Sequence, residues 1–84
     1  MKNNKIIKSK ILFRATHRGS KEIDLLLGGF VKRHINNFNK IELAELNKLV
    51  LLDDEKIYML YFNKSNYDYI SKSDVLKKFQ SFKL

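Results

Sequence analysis

Apolar residues in this chain recur at three- and four-residue spacing, and no segment alternates convincingly enough for a strand. The pattern predicts a single all-α domain, residues 1–84, built as a compact bundle of about five helices. From Lys5 to about Thr16, Ile7, Ile11 and Ala15 form one stripe with Leu12 beside it, while Ile6 and Phe13 lie toward another side. Lys5, Lys8, Lys10 and Arg14 keep the remaining surface wet. After a break at Gly19 the longest helical pattern runs from about Lys21 to Phe38. Ile23, Leu26, Leu27, Phe30, Val31 and Phe38 make its core face. Gly28-Gly29 interrupts that face. Each glycine costs roughly 1 kcal/mol against alanine in a helix interior. The pair therefore implies either close helix packing or a kink.

Capping signals divide the rest. Ser20 suits the N-cap of the second helix, with Glu22 and Asp24 in its first turns, where carboxylates favour the positive helix end. Asn39 and Glu42 have capping-box spacing and open a third helix with Leu43, Leu46, Leu49 and Val50 inward, ending near Leu52. Asp53-Asp54 breaks and restarts the chain. Asp54 is the expected N-cap of a short fourth helix carrying Ile57, Leu60 and Tyr61. A polar loop over Asn63–Tyr69 follows. A further capping box, Ser71 with Asp74, opens a short C-terminal helix with Val75, Leu76, Phe79 and Phe82.

Composition narrows the function. A chain of 84 residues holds a modest core. It has no cysteine, which excludes disulfides and thiolate metal sites. No apolar run approaches the length of a membrane span, and no secretory signal follows the basic N-terminus, so a soluble protein of a reducing compartment is expected, taken to be the bacterial cytoplasm. The formal charge of +8 invites a nucleic-acid partner. Against that, arginine occurs only at Arg14, Arg18 and Arg33, and arginine is the usual residue for bidentate phosphate and guanine contacts. A solvated lysine surface explains the charge better. The basic first helix could lie on a membrane surface, but a helix closing a small core is the simpler reading.

Enzyme signatures are missing. His17 and His34 are the only histidines and lack zinc-site spacing. There is no nucleophile elbow and no phosphate-binding glycine loop, and Gly28-Gly29 follows no strand. The densest chemistry lies in His17-Arg18-Gly19-Ser20-Lys21-Glu22-Ile23-Asp24. Taken alone, Arg18 and Glu22 suit an i,i+4 salt bridge across a helix junction, worth a few tenths of a kcal/mol. Gly19 suits a position with φ > 0, or one where another backbone comes close.

The stretch from Phe13 to Phe30, with Arg18-Gly19-x-x-Glu22 followed by Ile23-Asp24-Leu25 and Gly28-Gly29-Phe30, resembles the signature of the SdhE/YgfY family. These are small assembly factors for the flavoprotein subunit of succinate dehydrogenase. Leu49-Val50-Leu51-Leu52-Asp53-Asp54 is similar to a second family stretch. The chain departs from the family where Thr16 and Leu60 stand in place of tryptophan and Glu55 in place of proline. The resemblance implies a non-enzymatic factor that binds the flavoprotein subunit of succinate dehydrogenase and promotes covalent FAD attachment to a client histidine; a monomer is expected. Fumarate reductase is a further candidate client. No stably bound cofactor is expected. The resemblance also implies a partner surface with Arg18 and Glu22 reaching client groups, Gly19 allowing close approach, and His17, Lys21 and Asp24 at the rim. A direct FAD carrier and a basic helical nucleic-acid-binding protein are the alternatives.

Overall fold

The stripes bury as the periodicity requires. A computed structural model describes residues 2–62 and 74–83. Five α-helices occur among them: α1 (Lys2–Thr16), α2 (Lys21–His34), α3 (Lys40–Val50), α4 (Asp54–Phe62) and α5 (Asp74–Ser81). There is no strand among the described residues. The anticipated Asn63–Tyr69 loop and the Ser71 cap lie outside them.

α2 is the central element. Its Leu27, Phe30 and Val31 have no exposed surface. α1 packs chiefly on α2 and also on α3, while α5 lies against α3 and α4. Ile11 and Ala15 of the α1 stripe are fully buried and Leu12 packs against the core. Ile7, the third member of the stripe, stays 40% exposed. Phe30 meets Phe79 at 5.3 Å and Phe82 at 5.5 Å between ring centroids, which joins α5 to the centre. Such aromatic pairs add about 0.5–1.5 kcal/mol beyond area burial.

The helix ends follow side-chain chemistry. Ser20 Oγ accepts from the Ile23 amide at 3.4 Å. Asn39 and Glu42 form the full capping box: Asn39 N–H donates to Glu42 Oε1 at 2.9 Å, and Glu42 N–H donates to Asn39 Oδ1 at 2.8 Å. α2 stops at His34, short of the anticipated Phe38, and one turn of 3-10 helix over Ile35–Asn37 leads to the buried Phe38. The Asn36-Asn37 pair, which competes with helical bonding through its side chains, accounts for the tightened end.

The two glycines of α2 do not break the helix. A Cβ on Gly28 would stand 3.1 Å from Thr16 Cγ2 and 3.5 Å from the Ala15 carbonyl oxygen. Of the two possibilities open for the pair, the structure adopts close packing, here of α2 on the end of α1.

Candidate functional site

The candidate site is the turn from α1 into α2, residues 17–20. Its sequence would leave it loose. The structure braces it from the far side of the chain. Arg18 Nε donates to Asp54 Oδ1 at 2.8 Å, and Nη1 donates to the carbonyls of Val50 at 2.7 Å and Arg14 at 3.2 Å. Nη2 donates to the Leu52 carbonyl. The guanidinium thus closes the C-terminal end of α3, where free carbonyls and the helix dipole favour a cation. The other carboxylate oxygen, Asp54 Oδ2, accepts from the Ser20 amide at 2.8 Å, beside the start of α2. One Arg–Asp pair ties the α1–α2 turn to the end of α3 and the start of α4.

Two expectations change here. Asp54 is not the cap of α4; Asp53 is, its Oδ1 accepting from the Lys56 amide at 2.9 Å. Either aspartate has the chemistry to cap, and Asp54 is drawn off by Arg18 and the Ser20 amide. Arg18 pairs with Asp54 rather than with Glu22. Its side chain is only 10% exposed. Sequence offered Arg18 a client or Glu22; the structure commits its guanidinium within the chain.

Burial works against the ionised Asp54. The Ser20 amide, the Arg18 guanidinium and the Gly19 amide outweigh it, and together they hold the carboxyl below its ordinary pKa. The acid stays charged at neutral pH.

Gly19 does not need a positive φ, contrary to the first of its two expected roles. A Cβ there would lie at ordinary contact distance, 3.6 Å, from Asp54 Oδ2. Its exposed backbone remains open to approach from outside.

The rest of the motif faces outward. Lys21 and Glu22 are exposed on the first turn of α2. His17 is exposed and lies flat on Phe13, with ring centroids 3.9 Å apart. Its Nδ1 is 2.8 Å from the Phe13 carbonyl oxygen, which can only accept, so Nδ1 is the donor of that bond. Asp24 is half-buried. Its Oδ1 is shielded from solvent and meets no donor among the described residues. It lines a cavity of about 320 Å³ with Thr16, Leu25, Gly28, Gly29 and Lys32.

The site therefore has a half-buried brace, Arg18 with Asp54, and an exposed rim of His17, Lys21 and Glu22. No cluster of three or more histidine, cysteine, aspartate or glutamate residues among those described could hold a metal. Sequence reasoning missed Asp54 as a member of the site. The available signals were the doubled acid at positions 53–54, where a single cap needs only one, and the likeness of Leu49–Asp54 to a second family stretch.

A sequence model of the family described as flavinator of succinate dehydrogenase (Sdh5) matches residues 9–83. The chain belongs to that family. Its relatives include the mitochondrial succinate dehydrogenase assembly factor 2 of three yeasts. The protein of Scheffersomyces stipitis is 32% identical over 79 residues, covering 94% of this chain and 52% of the relative. That of Debaryomyces hansenii is 35% identical over 77 residues, covering 92% and 53%. That of Candida glabrata is 32% identical over 81 residues, covering 89% and 52%. The chain spans about half the length of the curated relatives it matches. No solved structure matches it. The family resemblance read from the motif is thus sound. The expected bacterial cytoplasmic location is not: these relatives are mitochondrial proteins of yeasts, and the expectation is withdrawn.

Proposed function

We propose that this protein is an assembly factor that binds the flavoprotein subunit of succinate dehydrogenase and promotes the covalent attachment of FAD to a histidine of that subunit. The observation that carries this reading is the family match over residues 9–83, which includes the whole motif. The braced turn supports it physically. A surface held rigid before binding loses less entropy on association. Here the exposed Lys21 and Glu22 stand on a helix start anchored through Ser20 and Arg18 to Asp54.

In this reading the factor is not an enzyme and holds no resident cofactor; FAD and the client supply the bond-forming chemistry. The factor binds one arrangement of the client better than others and shifts its population toward the reactive one. Glu22 accepts from a donor on the client. His17, Lys21 and Asp24 form the rim, and Gly19 lets the client backbone approach. Arg18 acts by holding the turn in shape. The working species is a monomer, and fumarate reductase is a second candidate client.

The test is covalent flavin fluorescence of the flavoprotein band on a denaturing gel, in cells lacking their own factor. Wild type should restore the signal. Glu22→Ala should melt like wild type yet restore little, because truncating one side of a desolvated charged contact costs about 2–5 kcal/mol of binding. Full restoration by Glu22→Ala would remove Glu22 from the interface, and failure of wild type would refute the function.

A further inference from the structure

Beyond its charged first turn, where Glu55 and Lys56 are exposed, α4 shows large apolar side chains to the outside. Tyr58 is 44% exposed, Met59 37% and Phe62 44%. The Tyr58 and Phe62 rings lie 4.4 Å apart between centroids, so the two form one aromatic ridge. Two cavities open along the seam between this helix and α2. One, of about 340 Å³, is lined by Ser20, Ile23, Asp54, Glu55, Tyr58 and Met59. The other, of about 200 Å³, is lined by Glu22, Leu26, Tyr61, Phe62 and Lys83. Ser20 and Glu22 of the motif turn stand at the two cavities, so the seam is continuous with the proposed contact surface.

Charge gives the seam a direction. The protein carries +8, yet the first cavity has two acids and no cation among its lining residues. Asp54 is engaged by Arg18, which leaves the exposed Glu55 to set the sign there. In the second cavity Glu22 and Lys83 offset one another, and the walls are aromatic.

We propose that the α2–α4 seam is a second part of the client interface. It takes a segment of the flavoprotein subunit that places a lysine or arginine at Glu55 and apolar side chains along Tyr58, Met59 and Phe62. This proposal rests on the function proposed above. An acidic end argues against an anionic membrane surface as occupant.

The experiment measures binding of the purified protein to the purified flavoprotein subunit by titration calorimetry, at low and moderate salt. Tyr58→Ala and Phe62→Ala should each weaken binding tenfold or more while melting like wild type. Glu55→Lys should weaken it at least tenfold and reduce its salt dependence. Lys77→Ala, on the exposed side of α5, is the control and should change nothing. Should an aromatic truncation melt early, Glu55→Lys, which removes no packing, decides. If wild type binds and Glu22→Ala is weak while all three α4 variants bind within twofold of wild type, the seam is overturned and the functional reading stands. If wild type does not bind the flavoprotein at all, both fall. Sedimentation showing a wild-type dimer that Phe62→Ala dissolves, with client affinity unchanged, assigns the seam to a second copy and overturns the proposal.

Discussion

Asp54→Asn should destabilise this protein far more than Asp53→Asn, although the two positions are adjacent and the change is the same. Asp54 accepts from two donors at once, Arg18 Nε on Oδ1 and the Ser20 amide on Oδ2, each at 2.8 Å. Asparagine has one acceptor oxygen. Whichever way its amide turns, the NH2 group faces a donor. One of the two donors is left without a partner, at about 1–3 kcal/mol, and the charge assistance to the other is lost. Outright removal of one partner from a fully buried pair costs about 3–5 kcal/mol. Because the Asp54 side chain is 28% exposed, water recovers part of that. The expected loss is roughly 2–4 kcal/mol. For a domain of this size that lowers Tm by roughly 10–25 °C. Asp53→Asn keeps an N-cap of equal quality and should stay within about 0.5 kcal/mol of wild type. Urea and thermal unfolding followed by far-UV circular dichroism at pH 7 read both variants. Equal stability of the two, or an Asp54→Asn midpoint unchanged from wild type, would refute the brace.

The pH dependence should follow from the same pair. With the folded-state pKa of Asp54 depressed, its contribution is full above the unfolded value of about 3.9 and is lost as pH falls through the folded value, so wild type and Asp54→Asn should converge in acid. His34 adds a step at higher pH. Burial, then Arg33 and Lys78, lower its pKa, so folding favours neutral imidazole; stability should fall as pH drops below about 6.5, and His34→Gln should flatten that part of the urea-midpoint profile. Gly28→Val should cost about 1–3 kcal/mol by pushing α2 off Thr16 and Ala15, and an unchanged Tm would show that the two helices can part freely.

The fold was largely legible because its determinants are local. Stripes at helical spacing identified Ile11, Ala15, Leu27, Phe30 and Leu46 as interior, and all five have no exposed surface. The Asn39–Glu42 box lies within four residues and could be read directly. The brace could not be read that way. Arg18 and Asp54 are 36 positions apart, and nothing in local spacing says which acid an arginine will find. Glu22, at i+4, was the pairing that local rules favoured, and the tertiary contact displaced it. The same blindness assigned the cap of α4 to Asp54, since both aspartates suit a cap until one is needed elsewhere. Ile7 shows the limit from the apolar side. It continues the α1 stripe, but near the helix start it lies by an open cavity with Lys40, Leu43, Ala44 and Asn47, and stays partly wet.

The Arg-Gly-x-x-Glu motif thus divides into parts with different physics. Arg18 is 10% exposed and bound to three carbonyls and a carboxylate drawn from α1, α3, the α3–α4 turn and α4. Its loss is felt by four chain segments whether or not a client is present. Glu22 is exposed on the first turn of α2, and its place there depends on the Ser20 anchor to Asp54. Defects at the two positions should therefore differ in kind. A variant at Arg18 changes the shape of the proposed contact surface and the stability of the whole domain together. A variant at Glu22 changes one side chain on a surface that keeps its shape. Lysine at position 18 restores the charge but not the fork of donors that reaches Asp54, Val50 and Leu52 at once, so charge alone does not replace the brace. The motif needs its arginine for geometry inside the molecule, and that geometry is what presents its glutamate to the outside.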